Sequence, residues 1–274
     1  MIKEVFYFDG RCSKIVAASI GIGLKQLEYI KSSNIGIEDH ENRMKTNRFD
    51  VLPIVSDDGS IVEFYKTNVT NNYEFISRTT IIDEDKMPFD TSIREVIKEF
   101  VIRDRIFYFL TYQDRISGLI SISNLNCRQV QVYIFELICE LERSLNNFIE
   151  KELSENELEM YIEEESKTNN KLKKAWTKYQ RLVKEDLENK LLEHLYFIDF
   201  FFIIEHFEFY NLLGYQKNEW EELKDLNNIR TQIAHSTKNL IDKRNDIKSL
   251  WKRIRKIEEL IFKLRTYKNN KNTI

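Results

Sequence analysis

The spacing of hydrophobic and polar positions changes along the chain and divides it into two parts. Up to about residue 135, short β-branched and aromatic runs alternate with helical stretches, which is typical of α+β structure. From residue 137 onward, apolar positions recur at helical spacing through long segments that contain a single glycine, Gly214, and no proline. The pattern predicts an α+β domain over 1–136 and an all-α bundle over 137–274, with the boundary inside a continuous helix.

Two segments of the first part share one order of elements, which predicts an internal duplication. The earlier segment contains a predicted helix, a strand, a turn and a second strand at residues 24–32, 51–55, 57–59 and 60–65. The later segment contains a helix capped by Thr91 or Ser92, followed by a strand, a turn and a strand at residues 106–110, 113–115 and 116–121. We therefore expect two α+β halves packed on each other.

The strands of these halves, RFDVLPIVSDDGSIVEFY and DRIFYFLTYQDRISGLISISNL, resemble a cystathionine-β-synthase-type (CBS) domain pair. The resemblance implies an adenine nucleotide (AMP, ADP or ATP) as a regulatory ligand. In the family, a Ser/Thr-x-x-Asp after the strand holds the ribose and phosphates. Ser121 and Asn124 occupy these positions here, and Lys66 in the earlier half suits a phosphate. The residues leave open a second interpretation, a dimerising scaffold that has lost its ligand.

The second part contains the motif Leu226-Asn-Asn-Ile-Arg-Thr-Gln-Ile-Ala-His-Ser236 near the end of a predicted penultimate helix. Arg230-x-x-x-x-His235 before a long last helix resembles the HEPN superfamily (higher eukaryotes and prokaryotes nucleotide-binding). The resemblance implies a helical bundle, a homodimer and metal-independent ribonuclease activity, with Arg230 and His235 as catalytic residues and Asn228 and Thr231 supporting them. Catalytic members commonly have Asn, Asp or His where this chain has Thr231.

The chemistry of RNA cleavage agrees with these two residue types. Attack by the 2′-hydroxyl needs a group that moves a proton near neutral pH, and histidine does so. It also needs fixed positive charge at the phosphate oxygens, which a guanidinium supplies. The alternatives are a helix-terminal role for His235 and an ion pair between Arg230 and Glu140 or Glu142.

The formal net charge of −3 gives no global argument for nucleic-acid binding, but two stretches are locally basic. Residues 243–271 hold 11 basic and 3 acidic side chains, and this stretch follows the motif directly. We expect RNA contacts there from Lys243, Arg244, Lys248, Lys252 and Arg255. Residues 167–184 hold seven basic residues and no acidic one. That stretch is either a solvated helix face or the basic half of a hairpin that pairs with the acidic residues before it.

The sequence contains no clear signal for a metal site, a membrane span or a signal peptide. The three cysteines form no CxxC pair, and His194 and His206 lack the spacing of a metal pair, so we expect no metal site. The apolar stretch 195–207 is too short to span a membrane. No signal peptide is visible, and we expect a cytoplasmic protein.

Together, the two resemblances imply a nucleotide-regulated endoribonuclease that acts as a homodimer, in the role of a toxin or an effector of phage defence or stress. The alternative is a non-catalytic, ligand-sensing dimerisation or RNA-binding module that regulates a partner.

Overall fold

The computed structural model describes residues 5–7, 11–13, 15–36, 39–70, 73–187, 190–234, 239–243 and 246–271. In these residues the N-terminal region is α+β and the C-terminal region is helical. The chain forms two compact units, Met1–Gln131 with Asn239–Trp251 and Val132–Lys238 with Lys252–Ile274. We call them the α+β unit and the helical unit. The division differs from a single cut at residue 136, because residues 239–251 join the first unit.

The described strands form three sheets. Their bounds are β1 Val5–Tyr7, β2 Arg11–Ser13, β3 Ile22–Gly23, β4 Ile30–Lys31, β5 Val51–Val55, β6 Ile61–Thr70, β7 Tyr73–Thr80, β8 Lys86–Pro88, β9 Phe107–Tyr112 and β10 Arg115–Ser121. β1 pairs with β2, and the two larger sheets have the strand orders β3-β10-β9-β8 and β4-β5-β6-β7. Each larger sheet contains one of the hairpins predicted from the sequence.

Turn residues explain why both hairpins are readable from the sequence. β5 and β6 pair antiparallel around a turn in which Gly59 has φ 82° and the Asp58 carboxylate accepts from the Ser60 amide at 2.9 Å. β9 and β10 pair around Gln113 and Asp114, both with positive φ, as a tight hairpin turn requires. The predicted strands and turns of both halves are therefore confirmed.

The helix predicted over 24–32 is wrong. This segment forms turns, the short strand β4 and a 3₁₀ turn at Ser32–Asn34, because Ile30 and Lys31 pair in parallel with β5. The helix that precedes the first hairpin is α2, His40–Asn47, where the Asp39 side chain accepts from the Asn42 amide. Tertiary pairing has overridden helix propensity.

The two larger sheets pack on each other through an aromatic cluster. Phe64 of β6 lies edge-on to Phe107 and Phe109 of β9, with ring centroids 5.4 and 5.3 Å apart, and Leu119 completes the cluster. This is the expected packing of the two halves. The halves are not identical, since β6 continues into β7, whereas β10 continues into a 3₁₀ turn at Ile122–Asn126.

Ten α-helices lie in the described residues. Their bounds are α1 Ala17–Ile20, α2 His40–Asn47, α3 Ile93–Ile102, α4 Arg128–Glu152, α5 Glu155–Glu165, α6 Asn170–Lys184, α7 Phe197–His206, α8 Lys217–Leu223, α9 Leu226–Ala234 and α10 Asp246–Lys271. Ser92 is the N-cap of α3, accepting from the Glu95 amide, as predicted. None of the described helices has the length and apolar character needed to cross a bilayer.

Aromatic packing forms part of the core of the helical unit. Trp220 of α8 is fully buried, and its indole N–H donates to the Phe201 carbonyl at 3.0 Å. The apolar run of this unit predicts one continuous helix over about 190–212. This is wrong, because two 3₁₀ turns flank α7 and Glu208 adopts φ 54°. The sequence also predicts a single penultimate helix over 219–234, and the structure has two helices there, α8 and α9.

Three hydrogen bonds of the Asn126 side chain fix the segment around Leu240 and Ile241, which follows α9 in the sequence and belongs to the α+β unit. The Asn126 side-chain oxygen accepts from the amides of Leu240 and Ile241, both at 2.9 Å, and its nitrogen donates to the Ile241 carbonyl at 2.8 Å. At about 1 kcal/mol for each hydrogen bond, Asn126→Ala should lower the free energy of unfolding by about 3 kcal/mol. Asn47→Ala is the control, since exposed Asn47 donates one bond to Arg43. A loss below about 1 kcal/mol in urea denaturation would contradict the assigned role.

Asp199 in the first turn of α7 is 4% exposed and accepts from the Tyr196 amide at 2.8 Å. Burial raises its pKa above the ordinary value of 3.8, against the opposing effects of that hydrogen bond and of Lys171. As pH rises from 3.8 to the raised pKa, the unfolded state loses this proton while the folded state keeps it, so wild-type stability falls.

Asp199→Asn removes this loss. The stability of the variant minus that of wild type should therefore increase with pH through this window and stay constant above it. Denaturation at a series of pH values measures the difference, and a difference that is flat or decreases with pH would show that the pKa is not raised.

Candidate functional site

Arg230 lies on the second turn of α9, next to the face of the helix that carries the buried side chains of Ile229 and Ile233. Its own side chain is half-buried. Among the described residues it forms no ion pair. The helix therefore presents a half-buried arginine whose charge is not neutralised by an ion pair with any described residue.

The charge of Arg230 influences the pKa of Glu142 on α4. Burial raises the pKa of the Glu142 carboxyl, and the charge of Arg230 opposes this rise. Of the two candidate ion-pair partners, Glu142 is thus the one whose pKa Arg230 influences, and no ion pair joins the two side chains. Glu140 instead accepts from Arg265 at 2.6 Å and from Arg143 at 3.0 Å.

The face of α4 that carries Glu142 holds two further polar groups. Burial raises the pKa of the Cys139 thiol, with Glu142 raising it further and Arg143 and Arg230 opposing. Asn146, one turn beyond Glu142, has a buried side-chain oxygen without a hydrogen-bond partner in the described structure. Cys139 and Asn146 are not among the site residues predicted from the sequence. Their spacing of three and four residues from Glu142 was the available signal.

Asn228 and Thr231, the predicted supporting residues, make local contacts. Asn228 donates to the Asp225 carboxylate at 2.7 Å, and Asp225 also accepts from Arg253 at 2.9 Å. The Thr231 hydroxyl donates to the Asn227 carbonyl of its own helix at 2.9 Å. Both side chains thus stabilise α9 and its start.

His235 lies outside the described residues, as do the three residues that follow it. The last described residue of α9 is Ala234, so His235 comes directly after it in the sequence. Its prediction as a catalytic residue stays a prediction.

The predicted RNA-binding residues have separate environments. Lys248 pairs with Asp104 at 3.4 Å, and Arg244 lies outside the described residues. Lys243, Lys252 and Arg255 are exposed. Lys243 and Lys248 belong to the α+β unit, and Lys252 and Arg255 to the helical unit.

Ser121 and Asn124 are brought together, but they bind each other. The Asn124 side-chain oxygen accepts from the Ser121 amide at 2.8 Å and from the Ser121 hydroxyl at 2.9 Å. They form the cap of the 3₁₀ turn after β10. A nucleotide would therefore compete with a local hydrogen bond at this position.

Lys66 lies on β6, opposite Val51 and Ser77 in the sheet register. In the described structure no hydrogen bond or ion pair joins it to Ser121 or Asn124. A cavity of about 290 Å³ in the α+β unit is lined by Met44, Lys45, Arg48, Phe49, Asp50, Thr67, Phe75 and Ile76. None of the three predicted nucleotide-binding residues lines it.

No group of three or more His, Cys, Asp or Glu side chains in the described residues is arranged to hold a metal ion. Elements of the fold thus place Arg230, Glu142, Cys139 and Asn146 in one helical unit, whereas the predicted nucleotide residues lie in the other.

The sequence matches no protein-family model and no curated protein. Solved structures that resemble part of the chain contain CBS domains. A complex of CBSX2 with AMP is 11% identical, covers 44% of this chain and 97% of its own, and has a TM-score of 0.33. The CBS domains of a transcriptional regulator from Streptococcus pneumoniae are 12% identical over 39% of this chain and 92% of their own, with a TM-score of 0.30. A hemolysin-like CBS protein of Oenococcus oeni is 12% identical over 40% of this chain and 87% of its own, with a TM-score of 0.29.

Proposed function

We propose that the helical unit is a metal-independent endoribonuclease of the HEPN type and that Arg230 and His235 are its catalytic residues. The observation that carries the proposal is the environment of Arg230. The Arg230 side chain is half-buried, its charge opposes the rise that burial causes in the pKa of the Glu142 carboxyl, and it has no ion pair among the described residues. A positive charge in a partly dry site interacts strongly with an anionic transition state.

The proposed reaction uses the RNA's own 2′-hydroxyl as the nucleophile. His235 takes the hydroxyl proton, the oxygen attacks the adjacent phosphorus, and the bond to the 5′-oxygen breaks as that oxygen takes up a proton from water. Arg230 stabilises the added negative charge on the phosphate oxygens. The products are a 2′,3′-cyclic phosphate and a 5′-hydroxyl.

The assay that tests this proposal uses purified full-length protein and mixed RNA in the presence of a chelator. Wild type should cleave, and His235→Ala should cleave at least about 10²-fold more slowly. Cleavage that stops when the chelator is added would contradict the metal-independent mechanism.

We propose that the active form is a homodimer in the cytoplasm, in which two copies of Arg230 and His235 share one cleft. Exposed apolar side chains of the helical unit support an interface, because Phe135 of α4 is 52% exposed and Phe262 of α10 is 65% exposed. A role as a toxin or as an effector of stress or phage defence follows from the same family resemblance.

Regulation by an adenine nucleotide is the second part of the proposal. A ligand that binds the folded protein stabilises it by about 2.7 kcal/mol at 100 times its Kd. We therefore expect AMP, ADP or ATP at millimolar concentration to raise the melting temperature. Lys66→Ala should reduce the shift, whereas Lys25→Ala, at an exposed lysine of the same unit, should preserve it.

The absence of any shift with AMP, ADP, ATP and S-adenosylmethionine would support the scaffold interpretation instead. The mutual hydrogen bonds of Ser121 and Asn124 favour this second candidate, a non-catalytic RNA-binding or dimerisation module that regulates a partner. RNA binding with a steep salt dependence but without turnover would identify it.

A further inference from the structure

Helices α5 and α6 have opposite charge but do not neutralise each other. α5 carries acidic residues, and α6 is part of the basic stretch 167–184. The Tyr179 hydroxyl of α6 hydrogen-bonds to Glu159 of α5, and no ion pair among the described residues joins the two helices. Lys167, in the connecting turn, pairs with Glu164. The hairpin interpretation of the two charged stretches therefore does not account for the lysines of α6.

These lysines form one exposed face. Lys173, Lys174 and Lys178 are exposed and have no ion pair among the described residues. A groove of about 620 Å³ lies along the face, lined by Asn170, Lys173, Lys174, Thr177, Lys178 and Arg181. We call it the α6 groove. All six side chains can donate hydrogen bonds, and within the described part of the chain the one ion-pair partner of Arg181 is Glu185, four residues on in the sequence, at 3.8 Å.

The positive charge of this face also influences the pKa of a histidine outside α6. Burial lowers the pKa of His194, and the positive charge of Lys178 lowers it further. The apolar side of α6, with Leu172, Ala175 and Tyr179, is buried in the helical unit. A membrane-binding helix would present such residues outward, so the exposed surface of α6 suits a polyanion rather than a bilayer.

The basic excess of α10 is more fully neutralised within the protein. Four of its basic side chains in the helical unit pair with carboxylates: Arg253 with Asp225, Lys256 with Glu222, Lys263 with Glu259 and Arg265 with Glu140. Lysines that already have a carboxylate partner gain less from a phosphate. Among the described side chains, the exposed lysines of α6 without an ion pair include Lys173, Lys174 and Lys178, whereas α10 has two such exposed residues, Lys252 and Arg255.

We propose that the α6 groove is a docking surface for the sugar–phosphate backbone of RNA. The identification of the polyanion as RNA rests on the proposed function, whereas the surface itself rests on the charge and exposure of α6. Lysines that contact phosphates release counterions, so the contribution of the groove should depend on salt but not on base sequence.

The test compares binding of a labelled single-stranded RNA by the His235→Ala protein and by two triple variants in the same background. Lys173→Gln, Lys174→Gln and Lys178→Gln alter the groove. Lys25→Gln, Lys31→Gln and Lys217→Gln make the same change in charge at exposed lysines elsewhere. Fluorescence anisotropy over a salt series gives the affinity and its salt slope.

We expect the groove variant to bind at least about tenfold more weakly at 0.15 M salt and to lose about 2 from the slope of log affinity against log salt. The control variant should stay within about twofold. Equal binding by the two variants would overturn the proposal, as would a larger loss from Lys252→Gln with Arg255→Gln. Binding of polyglutamate as tight as that of RNA would replace RNA by an acidic protein as the partner.

Two measurements keep this result separate from the question of catalysis. If the triple variant unfolds, each single groove variant should reduce the salt slope by about 0.7, and unchanged slopes would overturn the proposal. If wild type binds RNA through the groove but does not cleave it, the ribonuclease proposal fails while the docking surface stands.

Discussion

Replacement of His235 by alanine should reduce RNA cleavage by about 10²–10⁴-fold, the usual contribution of a positioned general acid or base. The affinity for RNA should change little, because a neutral histidine contributes no fixed charge to phosphate binding. Single-turnover cleavage and anisotropy measure the two quantities on the same protein. His206→Ala is the matched control, since His206 lies in the same unit and packs on Tyr161 and Phe207.

Equal cleavage by wild type and His235→Ala would remove histidine from the mechanism. A His235→Ala protein that melts many degrees below wild type would place this residue in a structural role. The melting temperature is therefore measured with the rate.

Arg230→Lys should lower the cleavage rate by about 10²–10³-fold, the usual cost of removing one stabilising donor. Lysine keeps the positive charge, so part of the RNA affinity should remain. The ammonium lacks the planar fork of the guanidinium and cannot bind two phosphate oxygens in parallel. Arg253→Lys is the control, because Arg253 pairs with Asp225 on the surface of the same unit, and its rate should stay within about twofold of wild type.

Full activity of Arg230→Lys would show that Arg230 acts only as a charge. If the proposed cleft is shared, mixing Arg230→Lys with His235→Ala should restore part of the activity. In a heterodimer, the Arg230→Lys protomer would supply an unchanged His235 and the His235→Ala protomer an unchanged Arg230, so the shared cleft would hold one copy of each. Mixtures no more active than either parent would argue against a shared cleft.

The parts of the fold that could be read from the sequence are those determined by local signals. Asp58-Gly59 and Gln113-Asp114 specify their turns, and the hairpins follow. The segment 24–32 was misread because its helical pattern is local, whereas the pairing of β4 with β5 joins residues 24 positions apart. The ends of α7 could not be predicted either, because the apolar run around it contains no proline, glycine or change of period that would indicate where the helix begins and ends.

The site was predictable in part. The motif placed Arg230 before the last helix, and bundle packing made an acidic residue of α4 its expected neighbour. Sequence alone could not choose between Glu140 and Glu142, because the choice depends on Arg265 of α10, which binds Glu140 and leaves Glu142 facing Arg230. The sequence also could not predict that Ser121 and Asn124 hydrogen-bond to each other, because a pair that caps a turn and a pair that binds a ligand use the same residues at the same spacing.

The chemical ends of the RNA fragments test the central claim most directly. Wild-type protein is incubated with a defined RNA and a chelator, and the products are identified by mass spectrometry. The proposed attack by the 2′-hydroxyl predicts 2′,3′-cyclic phosphate and 5′-hydroxyl ends that are absent from the reaction with His235→Ala. Intact RNA, fragments with 3′-hydroxyl ends, or the same fragments from His235→Ala would contradict the claim that this helical unit is a ribonuclease acting through Arg230 and His235.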